Sequence, residues 1–262
     1  MKNSQISRLA SSINYGDCFV LNEHRLIYGD SCEEPIINKL VGKDKINLLL
    51  CDIPYSISMV ASKKGFVNIK KGDKDIQNDQ EQTDEEYAEF NRKWLEIIKP
   101  HLAEKNAYYI FNCDKMIFAL REGIKQAGYK FSQMLIWIKN HAVMGRLNYL
   151  PQSELIAYGW FGTHKFYRSQ DKNILFCPRP NKSVYHPTMK PLSLLRQLIL
   201  NSTKVGGVVF DGFGGSGQVL FSCEQTKRKC LMAEIDKEYV ATIIYRFEKY
   251  SGKKVIKQTN NV

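Results

Sequence analysis

The sequence predicts an α/β fold built on a mostly parallel sheet, with an antiparallel hairpin at one edge. Three observations predict it. Short apolar runs alternate with amphipathic helical patterns, the order expected of βαβ units. The run Ile46–Cys51 is almost continuously apolar, as befits a strand covered on both faces. Phe131–Lys139 and Ser153–Tyr158 are two strand patterns with no helix between them, which makes them antiparallel neighbours.

The elements follow in order from Arg25. Residues 25–30 read as a short strand ending in a turn. Glu33–Val41 reads as a helix that tolerates Pro35 in its first turn. After the strand at 46–51, residues 56–82 carry Lys, Gly, Asp and Gln with little periodicity, and a mobile loop is expected. Thr83 with Glu86 three residues on forms a capping box for an amphipathic helix through Tyr87, Phe90, Trp94, Leu95 and Ile98, closed by Pro100. Ala107–Phe111 is a strand and Lys115–Gln126 a helix stopped by Gly128. Phe161–Tyr185 is irregular, polar and aromatic. Pro191 opens a helix ended by Gly206 and Gly207. Val208–Asp211 is a strand, Ser216–Lys227 a helix and Cys230–Glu234 a strand. Asp236 caps a last helix that ends at Gly252.

Composition narrows the function classes. The 262 residues fit a single catalytic domain, with 44% hydrophobic residues for its core. No apolar run approaches the roughly 18–20 residues of a membrane span, and the first residues lack a secretory apolar stretch, so a cytoplasmic location is expected. The seven cysteines are scattered singly, which argues against a disulfide framework and against a zinc site; no metal is expected. A net charge of +11, from 38 basic against 27 acidic residues, favours a polyanionic partner.

Two loops carry the chemistry. Gly212, Gly214 and Gly217 satisfy GxGxxG between a strand and a helix, the context of a dinucleotide site. Asp211 at the strand end would repel a pyrophosphate. It suits a cofactor bearing an ammonium and a sulfonium, as S-adenosylmethionine does. Glu234 ends the next strand, where a carboxylate can take two ribose hydroxyls, a role shared with nicotinamide folds. A P-loop is excluded, since no GK[ST] follows. The second loop is Asp52-Ile53-Pro54-Tyr55. An exocyclic amine on a base is a poor nucleophile because its lone pair is conjugated with the ring. Two acceptors that hold both N–H bonds free that lone pair, which is catalysis by orientation and electrostatic preorganisation. Asp52 supplies one acceptor. The Ile53 carbonyl can supply the other, because Pro54 biases Ile53 to an extended backbone. Tyr55 offers a face for a base flipped out of its stack.

Together these motifs resemble the amino-methylating DNA methyltransferases, in the circularly permuted group called beta. Asp52–Tyr55 is similar to that family's Asp-Pro-Pro-Tyr motif, and Phe210–Gly217 to its cofactor motif Asp-Pro-Phe-Gly-Gly-Ser-Gly. His186-Pro187-Thr188-Met189-Lys190-Pro191 resembles His-Pro-Thr-Gln-Lys-Pro, Ala233–Tyr239 the segment with the ribose-binding acid, and Gly29-Asp30-Ser31 a Gly-Asp-Ser segment near the cofactor adenine. The resemblance runs from about Tyr28 to Tyr250. Ile53, Gly212 and Met189 depart from the motifs.

The resemblance implies a three-layer, Rossmann-like, permuted methyltransferase fold. It implies catalysis by Asp52, Ile53, Pro54 and Tyr55. It implies S-adenosylmethionine held by Asp30, His186, Thr188, Lys190, Asp211, Phe213, Gly214, Gly215, Ser216, Gly217, Glu234 and Asp236. Asp at the head of the catalytic motif goes with adenine N6, where Ser goes with cytosine N4, so adenine is favoured. DNA contacts are expected from Lys63, Lys64, Lys70, Lys71, His141, Arg146, Lys165 and Arg168, with target-recognition insertions at 140–151 and 161–185. A homodimer and a cognate restriction enzyme are further expectations. A cytosine-N4 DNA methyltransferase is the alternative reading, and a nicotinamide-dependent oxidoreductase and a catalytically inactive nucleic-acid-binding protein are more remote rivals.

Overall fold

A computed structural model describes residues 2–56, 80–143, 147–168, 170–179 and 189–258. Ten strands form one sheet: β1 (Cys18–Leu21), β2 (His24–Tyr28), β3 (Ile46–Asp52), β4 (Leu102–Asn112), β5 (Lys130–Ile138), β6 (Ser153–Trp160), β7 (Ile174–Phe176), β8 (Val208–Asp211), β9 (Lys229–Glu234) and β10 (Ile256–Lys257). Their order across the sheet is β10-β1-β2-β9-β8-β3-β4-β6-β5-β7. The central strands β2, β9, β8, β3 and β4 run parallel. β6 is antiparallel to both β4 and β5.

The described helices are α1 (Lys2–Ser11), α2 (Glu34–Val41), α3 (Asp84–Ile98), α4 (Ile117–Gln126), α5 (Leu192–Ser202), α6 (Gln218–Thr226) and α7 (Lys237–Ser251). They form two outer layers. α2, α3 and α4 cover one face of the sheet, while α1, α5, α6 and α7 pack on the other. This explains the apolar continuity of β3. Ile46, Leu49 and Cys51 enter one core while Leu48 and Leu50 enter the other, which leaves only Asn47 and Asp52 half-buried.

Local signals set the helix ends. Thr83 and Glu86 make the reciprocal capping box at α3. Pro191 precedes α5 with φ −64, and the Asp236 carboxylate caps α7 by accepting from the Glu238 amide. Gly252 ends α7 in the left-handed conformation.

Several elements differ from expectation. β4 begins at Leu102, five residues before the predicted strand, because its first half is polar and half exposed and shows no apolar run. α5 ends at Ser202 rather than at the glycines, since Thr203 is already extended. The segment expected to be irregular after Phe161 contains β7, which pairs in parallel with β5 and takes the sheet edge from the hairpin. Most of the loop expected at 56–82 lies outside the described residues.

Candidate active site

The carboxyl ends of four adjacent strands bring four acids into a row. Tyr28 of β2 pairs with Glu234 of β9, and Asp211 of β8 pairs with Met232 of β9. β8 in turn pairs with β3, with Leu49 opposite Phe210, so Asp211 and Asp52 end neighbouring strands. The Gly29 amide donates to the Glu234 carbonyl at 3.0 Å, which sets Asp30 at the far end of the row. Ligands of open α/β sheets bind at such carboxyl ends.

The glycine loop makes the cofactor side. Gly217 has φ 82 at the start of α6, a conformation that a Cβ would strain. A Cβ on Gly214 would lie 2.8 Å from the Met232 side chain, so any larger residue would force Met232 to shift. The Gly214 amide donates to the Ala233 carbonyl at 2.9 Å, and the Gly215 amide to Glu234 Oε2 at 2.5 Å.

The electrostatics of this cleft suit a cation. Asp211 is 3% exposed, and the bond shown for its carboxylate is from the Phe213 amide at 3.1 Å. Burial pushes it up to about 8, against that bond and with help from the charges of Asp52 and Glu234. Burial likewise pushes Glu234 up to about 7, against the amides of Asp236 and Gly215. Beside them, Ser31 Oγ is buried with no hydrogen-bond partner among the described residues, and Ser31 Cβ is 3.1 Å from where a Gly212 Cβ would be. A buried polar atom without a partner is costly unless a ligand satisfies it. These residues fit a polar, positively charged ligand and oppose a pyrophosphate.

Some expected cofactor residues do structural work. The Phe213 ring packs edge-on against Trp94 and Phe90 of α3, at centroid distances of 5.6 and 6.0 Å. Asp236 is the cap of α7. Asp30 Oδ1 accepts from the Cys32 amide at 2.8 Å, and the Asp30 amide donates to the Tyr15 hydroxyl at 3.0 Å. His186 and Thr188 lie outside the described residues.

The Asp52–Tyr55 loop is held from below. The Tyr87 hydroxyl donates to the Pro54 carbonyl at 2.9 Å and accepts from Asn112 Nδ2 at 2.8 Å. Ile53 is buried. Ser56 has φ 52, a left-handed turn unusual for serine, and its hydroxyl donates to Gln82.

Around Asp52 lies a compact ionic cluster. Lys190 Nζ is 2.7 Å from Asp52 Oδ2, 3.1 Å from Glu154 Oε2 and 3.3 Å from the Tyr55 hydroxyl. The Tyr55 hydroxyl is in turn 3.1 Å from both Asp52 Oδ1 and Glu154 Oε2. Lys139 Nζ closes on Glu154 Oε1 at 2.8 Å. Burial raises the Glu154 carboxyl, but Lys190 and Lys139 outweigh it and hold the group down at about 2. Burial lowers Lys190, and Asp52 and Glu154 reverse this, so its ammonium is raised above the usual lysine range.

Lys190, expected with the cofactor, therefore places its ammonium on the Asp52 carboxylate. Glu154 was absent from the expected site. Its signal was a carboxylate next to an apolar strand pattern, but only the pairing of Glu154 with Trp137 of β5 sets it beside Lys139.

The expected DNA contacts divide. His141 is exposed in the connection above β5 and β6, where the Lys139 amide donates to the Gln152 carbonyl and the Val143 amide to the Pro151 carbonyl. That connection rises at the catalytic end of the sheet, because β6 runs against β4 and begins where β4 ends. Leu147 and Tyr149 are exposed there, Tyr149 at 92%. Lys165 and Arg168 are also exposed, but they follow Thr163, which bridges Lys105 near the start of β4. They sit at the opposite end, roughly 20 Å away along β4. Lys63, Lys64, Lys70, Lys71 and Arg146 lie outside the described residues.

The comparison that decides the family is a match to the DNA methylase family of the N6/N4 type over residues 46–176 and 160–245. The chain belongs to this family. The methylase is 26% identical over 249 residues to the type II methyltransferase M2.DpnII of Streptococcus pneumoniae, covering 87% of this chain and 91% of that protein. It is 26% identical over 236 residues to the type II methyltransferase M.HpaI of Haemophilus parainfluenzae, covering 77% and 68% of the two chains. Its fold resembles the cytosine-N4-specific PvuII DNA methyltransferase, with a TM-score of 0.68, 17% identity and coverage of 95% and 92%. It also resembles the M1.HpyAVI–SAM complex, with a TM-score of 0.62, 20% identity and coverage of 84% and 98%. Among the described residues no helix is long and apolar enough to cross a membrane.

Proposed function

We propose that the methylase transfers a methyl group from S-adenosylmethionine to the N6 amine of an adenine flipped out of duplex DNA. The observation that carries this reading is the adjacency of Asp52, at the head of an amine-binding loop, to a cleft lined by Asp211 and Glu234 that favours a cation. When bound, the cofactor supplies an electrophilic methyl group on its sulfonium. Asp211 would hold its positive methionine end, and Glu234 its ribose. Asp52 and the Ile53 carbonyl take the two N–H bonds of the target amine, directing its lone pair at the methyl group. As the new N–C bond forms, the S–CH3 bond breaks and its electron pair goes to the sulfur, which leaves as a neutral thioether; the nitrogen then carries an excess proton, and Asp52 is the acceptor placed to take it.

The DNA enters from the carboxyl end of the sheet. The exposed connection between β5 and β6, with His141, Leu147 and Tyr149, is the surface that meets it. The type II names of the relatives support a cognate restriction enzyme as a genetic partner. The family resemblance supports a homodimer, which light scattering on the purified protein would check.

The test is nucleoside mass spectrometry of unmethylated DNA incubated with protein and cofactor. N6-methyladenine is expected. N4-methylcytosine would replace the target assignment, and no modified base would overturn the reading.

A further inference from the structure

We infer that Lys190, held by Glu154 and Lys139, is the positioning residue that fixes which oxygen of Asp52 receives the target amine. The inference deepens the proposed reaction and rests on it. An ammonium has three N–H donors. Lys190 directs them at Asp52 Oδ2, Glu154 Oε2 and the Tyr55 hydroxyl, at 2.7, 3.1 and 3.3 Å. Its side chain is 6% exposed, whereas that of Asp52 is 31% exposed and remains open on one side.

With Oδ2 engaged by a buried cation, the carboxylate cannot turn about its own axis without breaking that pair. Oδ1 keeps an acceptor lone pair beyond its contact with Tyr55. That lone pair is then the one presented to the base. Tyr55 has one hydroxyl hydrogen for two carboxylates, so Lys190 carries most of the restraint.

Glu154 and Lys139 make this arrangement affordable in a buried site. Two lysines and two carboxylates cancel, and each end of Glu154 is engaged by one lysine. Removing one partner of such a cluster leaves an uncompensated charge, while removing one of each sign does not.

Lys190 also joins the two halves of the site. Its carbonyl accepts from Gln218 Nε2 at 3.2 Å, and Gln218 Oε1 accepts from Arg246 at 3.0 Å. Arg246 also donates to the carbonyl of Ser216 in the glycine loop. The residue that orients the methyl acceptor is thus anchored to the loop assigned to the methyl donor.

The test compares K190M, E154Q and the double variant for kcat, KM for DNA, cofactor affinity and melting temperature. K190M should lower kcat by about a hundredfold, the scale for losing one preorganised electrostatic contact, with both binding constants within about threefold. E154Q should lower kcat by about tenfold. In the double variant the melting temperature should recover while kcat stays at the K190M level. Recovery of kcat together with the melting temperature would show that the cluster is only structural and overturn the inference. So would K190M with kcat within threefold of wild type. A wild-type protein that methylates no DNA would instead overturn the reaction on which the inference rests.

Discussion

Asp52 and Asp211 end neighbouring parallel strands, and the charge of Asp52 adds to burial in pushing the Asp211 carboxyl up to about 8. The Asp52–Tyr55 loop and the glycine loop therefore share an electrostatic environment as well as an end of the sheet.

Cofactor affinity should rise with pH. Asp211 at about 8 and Glu234 at about 7 are partly protonated near neutrality, and a cationic ligand must displace those protons. Affinity climbs through pH 7 to 8 and then levels. Calorimetry in buffers of different ionisation enthalpy should detect proton release near pH 7. A pH-independent affinity would count against the assignment.

The ligand-free fold has the opposite slope. Both folded values lie above the ordinary 3.8 and 4.5, so these groups contribute stability that is full below those values. It is lost as pH rises through about 7 and 8. The melting temperature should fall between pH 6 and pH 8, and saturating cofactor should flatten the fall.

Asp211→Asn replaces a buried acid, partly ionised near neutrality, that no cation pairs among the described residues. It should raise the ligand-free melting temperature by about 2–4 °C and weaken the cofactor at least about tenfold. Thermal melts and titration calorimetry read the two effects, and a drop in both would point to misfolding.

Asp52→Ala should lower methyl transfer by at least about a hundredfold, with cofactor affinity within about twofold. A tritium-methyl transfer assay and calorimetry on the same sample check this. Normal turnover would remove Asp52 from the mechanism.

Tyr149→Ala should weaken DNA binding by about tenfold, the scale of one lost aromatic contact to a base. Lys165→Ala and Arg168→Ala should leave it within about twofold, since those residues lie at the other end of β4. Fluorescence anisotropy at fixed salt separates the two outcomes.

The legible parts of the fold were those where local rules agree. The Thr83–Glu86 capping box, the Pro191 start of α5, and the apolar runs of β3 and β8 depend on short-range chemistry and are found where expected. β1, β7 and β10 are strands of two to four residues and carry too little periodicity to stand out. Asp52–Tyr55 and Gly212–Gly217 stood out as candidates because each loop contains its own chemistry, and the structure sets them at the ends of neighbouring strands. Glu154 was not, because a single acid at the start of a strand has no local meaning.

By itself the sequence determined the family motifs, their permuted order and the parallel core, all of which follow from residue type and near spacing. Tertiary structure alone decided that Lys190 pairs with the Asp52 carboxylate, that Glu154 and Lys139 complete the charge balance, and that Lys165 and Arg168 lie near the other end of β4. The reason is geometric. Lys190 and Asp52 are 138 positions apart in the chain, and only the pairing of β3, β4, β6 and β5 beneath the start of α5 brings four charges within hydrogen-bond reach.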